Sequence, residues 1–538
     1  MRKIIYIGVT LLAFLFTSCQ EDFLETKPTA SVDNETTFSS LENCYAVVNG
    51  IHRFVYSESR DGQDEFGEAA IMMHRDLMGE DLCMTTSANG WFVRTYRWID
   101  HRNSASKVDA YPWKFYYRII ANANTVIAKL KERFADKATE SLYQEIMAQA
   151  LTYRAWAHFN LVQLYAKRYD PTVAGSNTQP GIVLVTSPEV TQRPRSTVEE
   201  VYAQINRDLD EAITLFANSG SSPSQISDLS IYAAQAIKAR VALTIGSWQT
   251  AIDYAKLAKA AGKLFTAKDF QANNGFPTVF SVYPGPGSEW IWGSQVKSDQ
   301  GTGFASFGAY MSWNFSSTNT RTNPKTITKE LYEAMPATDA RKAMFDPTGF
   351  DIRAKAPNFL DSRASVTPFH SKKFSAVAPG DSRNDLAYIR VAEMYLIQAE
   401  AEARIGGKDA DAQQTLYSLV VTRNESYVKS TQTGQALIDE ILLQRRIELW
   451  GEGFRFYDLK RLNLPLTRVS TQVAPNPATL DPRYAQAFYK NSLVNTKYTG
   501  HHDPSLCSVT SIPAGDLTWQ WLIPKSELDA NKLIKQNE

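Results

Sequence analysis

Long runs of apolar residues at three- and four-residue spacing constrain this chain more than any other feature. That period lays a stripe along one face of an α-helix, and the stripe must be buried against another element. Leu41 to Phe54 shows it. Tyr111 to Lys131 shows it again, with Tyr116, Ile119, Ile120, Ala123, Val126, Ile127 and Leu130 on one broad face. Leu142 to Tyr169 follows, carrying Ala148, Leu151, Ala155, His158, Leu161, Val162 and Tyr165. Ser196 and Glu199 form a capping-box pattern. The helix they open carries Val201, Ile205, Leu209, Ala212, Ile213 and Phe216. Ile231 to Ala261 reads as a helical hairpin in which Ala236, Ala239, Gly246, Ala251 and Ala258 let two helices approach closely. Ile389 to Val421 repeats the theme with Ala392, Ala399, Ala403, Gly406 and Ala412. The expected fold class is therefore mainly α, a helical-hairpin scaffold.

Between Phe265 and Thr326 this period fails. Gly, Pro, Ser and Asn punctuate short segments there, and Trp290-Ile291-Trp292 reads as a strand. A second irregular region runs from Pro465 to Pro513. Stretches this long without regular structure are usually functional in a compact protein. Large irregular insertions with a few short strands are expected chiefly at 55–110, 265–326 and 465–513.

The N-terminus has a different logic. Arg2 and Lys3 precede an apolar run from Ile4 to Phe16, and Leu15-Phe16-Thr17-Ser18 leads into Cys19. The run falls short of the roughly 20 apolar residues that span a bilayer as helix. The order reads as a secretory signal with a cysteine at the cleavage point, the pattern of a bacterial lipoprotein. Residues 1–18 are expected to be the signal peptide, 19–40 a polar tether lipidated on Cys19, and 41–538 a single domain. Lys plus Arg and Asp plus Glu balance at 57 each, so the chain carries no basic block to attract nucleic acid. Cys44, Cys83 and Cys507 remain, without a C-x-x-C pair. They point to core cysteines, with one disulfide left open.

Several motifs invite a chemical reading. In Arg445 to Arg461, Glu448 and Glu452 stand four apart, with Arg445 and Arg455 three residues outside them. On a helix they line one face and pair, a structural role, although Gly451 and Gly453 complicate a continuous helix. A phosphate loop lacks its third glycine and its strand context, and no other cofactor pattern is present. His501-His502-Asp503 with Cys507 has no matching ligands at useful spacing, and adjacent histidines on a strand point to opposite faces, so no metal is expected. No carboxylate pair is marked by spacing and no Gly-x-Ser-x-Gly elbow occurs, so no catalytic residue is nominated.

Five segments together carry a family resemblance. Cys19-Gln20-Glu21-Asp22-Phe23-Leu24-Glu25-Thr26-Lys27-Pro28 resembles the mature start of the SusD/RagB family. Tyr388 to Ala401 and Arg445 to Arg461 are similar to two of its helices. Leu522 to Asn531 with Gln536-Asn537 resembles its closing pattern, and Arg154 to Leu161 adds a fifth match. Gly246 to Ala251 also resembles a tetratricopeptide repeat, although the hairpins depart from that consensus. The resemblance implies a tetratricopeptide-like scaffold with loop insertions. It also implies a non-catalytic lipoprotein, exposed on the outer membrane of Bacteroidetes-type bacteria. Such a protein captures an oligosaccharide and closes over a SusC-like TonB-dependent transporter. Peptide capture in a RagAB-like importer and glycan degradation by a helical enzyme are the competing classes.

Aromatic residues make up 12% of the chain, and several sit in polar, glycine-rich surroundings. Ala88 to Trp98 packs Trp91, Phe92, Tyr96 and Trp98 beside a turn signal. Tyr310, Trp313 and Phe315 follow in the irregular region, whereas Trp292, inside the expected strand, reads as core. Sugar rings present apolar C–H faces that stack on aromatic rings, while their hydroxyls need polar partners. Trp91, Tyr96, Trp98, Tyr310 and Trp313 are therefore the expected oligosaccharide platform, with Asn89, Arg94 and Asn314 as its polar partners.

Overall fold

The computed structural model describes residues 34–56, 62–270, 272–273, 276–277, 279–301, 303–350, 352, 367–470 and 500–538. Cys19, the 1–18 leader, most of the tether and residues 471–499 of the third insertion lie outside the described residues.

The helices expected within 41–54, 111–131, 142–169, 196–216, 231–261 and 389–421 are present, and Glu68–Leu77, inside the segment expected to be an irregular insertion, and Gly434–Glu448 are helical as well. They are α1 (Leu41–Tyr56), α2 (Glu68–Leu77), α3 (Lys107–Arg133), α4 (Ser141–Tyr165) and α5 (Val198–Ser219). Then come α6 (Ile231–Ile245), α7 (Trp248–Ala258), α8 (Val391–Ile405), α9 (Asp409–Arg423), α10 (Gly434–Glu448) and α11 (Arg455–Arg461). Successive helices pack on one another from α3 to α9, and α7 meets α8 across the long intervening insertion. The fold is thus mainly α, with stacked helical pairs. α4 is buried almost all round from Met147 onward, which makes it the central helix. Its Arg154 reaches α5 and pairs with both Asp208 oxygens, at 2.8 and 2.6 Å.

Local signals are displaced slightly from their expected positions. The capping box of α5 is Thr197 with Glu200, one residue later than the Ser196–Glu199 pattern. The Glu200 N–H donates to Thr197 Oγ1 at 3.2 Å, and the Thr197 N–H donates to Glu200 Oε2 at 2.8 Å. α6 stops at Gly246, φ 75°, where a Cβ would stand 2.6 Å from Pro171 Cβ. Trp290-Ile291-Trp292 does begin a strand, β1 (Trp290–Ser294). It pairs antiparallel with β2 (Leu386–Arg390), which takes the first residues of the segment read as the 389–421 hairpin. The pair closes the base of the insertion, and Trp292 is fully buried there. A four-stranded sheet of two-residue strands ties Leu82–Cys83 to Thr326–Ile327 and then to segments at His370–Ser371 and Phe345–Asp346. Cys44, Cys83 and Cys507 are buried, and no disulfide joins them among the described residues.

The Arg445 to Arg461 motif is structural, but with other partners than expected. α10 ends at Glu448, and Gly451 and Gly453 take φ 78° and 83°, so no continuous helix aligns the four charges. Arg445 instead pairs with Asp458 at 2.7 Å, and Arg455 pairs with Glu80. Glu448 and Glu452 turn inward to a buried network. Arg390 donates to Glu452 at 2.7 and 2.8 Å and to Glu448 at 3.1 Å, and it also pairs with Glu289. Arg423 bridges Glu289 at 2.8 Å and Glu448 at 2.9 Å. Arg341 links Glu448 at 3.2 Å to Asp339 at 2.7 Å, and Lys373 reaches Glu452 at 2.5 Å. Arg341, Arg390, Arg423 and Lys373 thus balance Asp339, Glu289, Glu448 and Glu452, and all eight are buried. Although burial opposes their ionisation, the guanidinium groups hold Glu448 well below, and Glu452 below, the usual carboxylate range.

Candidate functional site

The Ala88–Trp98 stretch is held by unusual backbone. Ala88, Phe92 and Trp98 all take positive φ, at 37°, 62° and 57°, and Gly90 takes 85°. Such conformations persist only where surrounding contacts enforce them. Phe92 is enforced by burial, with its ring 5.0 Å from Tyr310, 6.1 Å from Phe66 and 4.8 Å from His74. Turning Phe92 inward leaves its neighbour Trp91 half-buried at the surface, packed on the core by one side. Asn89 and Arg94 are exposed on the same turn, and Arg94 Nε donates to Asp100 at 2.7 Å.

The two aromatic segments converge, but below the surface. Tyr310 is 1% exposed, stacked on Phe66 at 5.6 Å, with its hydroxyl donating to the Gln63 carbonyl at 3.1 Å. Asn323 Oδ1 accepts from the Thr85 and Thr86 N–H groups at 3.0 and 3.3 Å and welds the segments together. Tyr96 is buried, stacked on His502 at 5.6 Å and bonded to its Nδ1, with Arg468 over the other face at 4.7 Å. Trp98 donates to the Met78 carbonyl at 3.1 Å and meets Trp519 edge-on at 5.0 Å. Trp313 donates to Ser375 Oγ at 2.7 Å. Asn314 exchanges two 2.8 Å bonds with the Ala376 backbone. Tyr96, Trp98, Tyr310, Trp313 and Asn314 are therefore loop anchors with no face free for a ligand, a correction to the expected platform. Burial also holds the Tyr96 and Tyr310 phenols above their usual range. Of the expected residues, Trp91, Asn89 and Arg94 keep access to solvent.

One surface aromatic escaped the sequence reading. Phe304 is 56% exposed, and its ring lies 6.0 Å from that of Phe315, which is buried. Its signal was an aromatic directly after Gly301-Thr302-Gly303, a sequence too short to bury it. A narrow cleft of about 40 Å³ is lined by Tyr56, Phe66, Gln300, Ser306, Arg383 and Asn384 among others. Phe66 is common to this cleft and to the Phe92–Tyr310 cluster. Elsewhere, His502 uses Nδ1 on Tyr96 and Nε2 on the Glu80 carbonyl at 2.8 Å, so both ring nitrogens are engaged within the protein. Burial pushes its pKa down to about 3 and keeps it neutral.

Comparison with known proteins gives this geometry its setting. Residues 22–243 match a SusD-like family described as starch-binding associating with outer membrane, and residues 298–538 match the SusD family. The chain belongs to the SusD/RagB family. The SusD-like protein P38 of Formosa agariphila is 22% identical over 535 residues, covering 86% of this chain and 92% of that relative. The SusD-like protein P25 of the same organism is 23% identical, with 85% and 90% covered. Among solved structures, a SusD-like carbohydrate binding protein from Bacteroides vulgatus superposes with TM-score 0.74 at 22% identity, covering 92% of this chain and 97% of that one. A laminarin binding SusD-like protein superposes with TM-score 0.60 at 20% identity, covering 92% and 98%. At these identities the structures establish the shared SusD-like fold. No helix of the described residues is long and apolar enough to cross a membrane.

Proposed function

We propose that this chain is a cell-surface, non-catalytic lipoprotein that captures an oligosaccharide and passes it to a SusC-like TonB-dependent transporter. Membership of a carbohydrate-binding, outer-membrane-associated family supports the general reading. One observation carries the site: Trp91 is half-buried at the surface and packed against the core, with Asn89 and Arg94 exposed in the same stretch. A sugar face stacks on the indole, and the amide and guanidinium serve its hydroxyls. Phe304 is a second exposed aromatic surface. A few such contacts correspond to dissociation constants on the order of micromolar to millimolar, which suits capture followed by release.

The test is calorimetry of the purified protein against a panel of oligosaccharides. Trp91→Ala is expected to weaken binding at least about tenfold, one stacking contact of roughly 1.4 kcal/mol, while its melting temperature stays close to wild type. Wild-type affinity in Trp91→Ala would remove this residue from the site.

Attachment is proposed through lipid on Cys19, since one acyl chain gives only marginal anchoring and a lipoprotein cysteine carries several. Cys19→Ala is expected to leave an unprocessed precursor or a released protein when cells are fractionated. Normal surface attachment of that variant would exclude the assignment.

A further inference from the structure

A cavity of about 420 Å³ opens where the end of α4, the end of α11 and the C-terminal segment meet, and Lys167, Arg168, Lys460, Leu517 and Trp519 are among its lining residues. Lys460 is the unusual member. Its side chain is buried, 6% exposed, and Nζ donates to the carbonyls of Gln163 at 2.6 Å and Leu164 at 3.3 Å in the last turn of α4. No carboxylate among the described residues pairs with it. Carbonyl dipoles at a helix C-terminus favour a cation, but they replace only part of what a buried ammonium loses with its water shell.

The two carboxylates in the wall are already engaged. Asp516 accepts from the Thr518 N–H at 2.8 Å and its hydroxyl at 2.7 Å. Asp170 accepts from the Thr172 N–H at 3.0 Å and from Arg168 at 3.2 Å. Lys167 is exposed at the cavity rim and has no carboxylate partner among the described residues. Arg102, outside the lining, is bonded to the Leu517 and Gln520 carbonyls at 3.2 and 2.8 Å. His101 adds no cation, because burial pushes its pKa down to about 3. Arg168 is thus matched by Asp170, and Arg102 faces Asp516 and Asp109, which leaves Lys460 and Lys167 as the amines of the cavity without a carboxylate partner among the described residues. Leu517 is 40% exposed and offers an apolar contact at its edge.

We propose that this cavity binds a small carboxylate-bearing ligand, of the size of a uronic acid, whose carboxylate pairs with Lys460 from the wall and Lys167 from the rim. The volume lies in the range of sites that enclose a small molecule. Burial without an anion pushes the Lys460 pKa down to about 7, and an arriving carboxylate restores the charged amine, so binding takes up a proton. This proposal does not rest on the Trp91 site.

The test is titration calorimetry of the full-length protein at pH 8 in two buffers of different ionisation enthalpy, with D-glucuronate, D-glucose and N-acetylglycine as probes. Glucuronate is expected to bind at least tenfold more tightly than glucose, with uptake approaching one proton. Lys460→Met is expected to abolish both the preference and the uptake, and Lys167→Ala to weaken glucuronate several-fold. N-acetylglycine separates the carboxylate sources: parity with glucuronate indicates a general carboxylate site, and weaker binding indicates an acidic sugar. Equal affinity for glucuronate and glucose, or binding without proton uptake, overturns the proposal. So does unchanged glucuronate binding in Lys460→Met. If that variant does not fold, the wild-type proton uptake and the Lys167→Ala affinity decide.

Discussion

Glu448→Ala is expected to destabilise the fold by about 3–5 kcal/mol, the usual cost of leaving a buried cation without its partner. Glu448 is the hub of the network: Arg390, Arg423 and Arg341 all donate to its carboxylate. Removing it leaves three guanidinium groups with too little negative charge in a dry interior. Chemical denaturation would measure the loss. A difference below 1 kcal/mol would mean that water or rearrangement compensates and that the network is not a keystone. An internal control is Lys525→Ala, which removes an exposed pair with Asp529 and should leave stability close to wild type. The network also fixes an acid limb. Glu448 and Glu452 have folded pKa values below their unfolded ones, and Asp458 is lowered to about 2 by Arg445 and Arg461 against the effect of its burial. Their contribution is complete above the unfolded carboxylate pKa, near 4, and is lost as pH falls through the folded values. Stability should therefore fall steeply between about pH 4 and pH 2.

Trp313→Ala is expected to cost about 3–5 kcal/mol, the range for emptying a buried aromatic site. It also deprives the Ser375 hydroxyl of its indole N–H partner. Its contrast with Trp91→Ala is the informative result. Both are tryptophans in polar, glycine-rich loops, yet one should change the melting temperature and the other the affinity. A Trp313→Ala variant that melts like wild type and fails to bind sugar would return Trp313 to the ligand surface.

The scaffold was legible because its signal is local. A helical stripe such as Tyr116 to Leu130 states which face is buried, and the structure buries that face. The site was less legible because exposure is set by segments remote in sequence. Trp313 and Asn314 look like surface residues among Ser312, Ser316 and Ser317. What covers them is Ser375 and Ala376, each 62 residues away from its partner. Tyr96 is closed off by His502 and Arg468, further still along the chain. Phe304 is the reverse case: no segment of the described residues returns to cover it. The charged motif shows the same limit. Its residue types announced ion pairing, but Gly451 and Gly453 redirect Glu448 and Glu452 to Arg390 and Arg423, which no helical spacing indicates.

The buried network has a consequence for the order in which the molecule is made. Its members are drawn from Glu289, Asp339, Arg341, Lys373, Arg390, Arg423, Glu448 and Glu452, so its last carboxylates appear only when most of the polypeptide exists. The tail then binds back on the beginning, with Asn537 donating to the Tyr165 and Trp521 carbonyls at 2.7 Å and Arg102 holding the Glu538 carbonyl at 2.7 Å. Contacts of such sequence separation form late and slowly. A nascent chain that stops near residue 440 holds Arg390 and Arg423 without Glu448 and Glu452, and cannot close its interior. Until those two carboxylates are made, the charged network has no closed form, and the part of the interior around it cannot take its final packing.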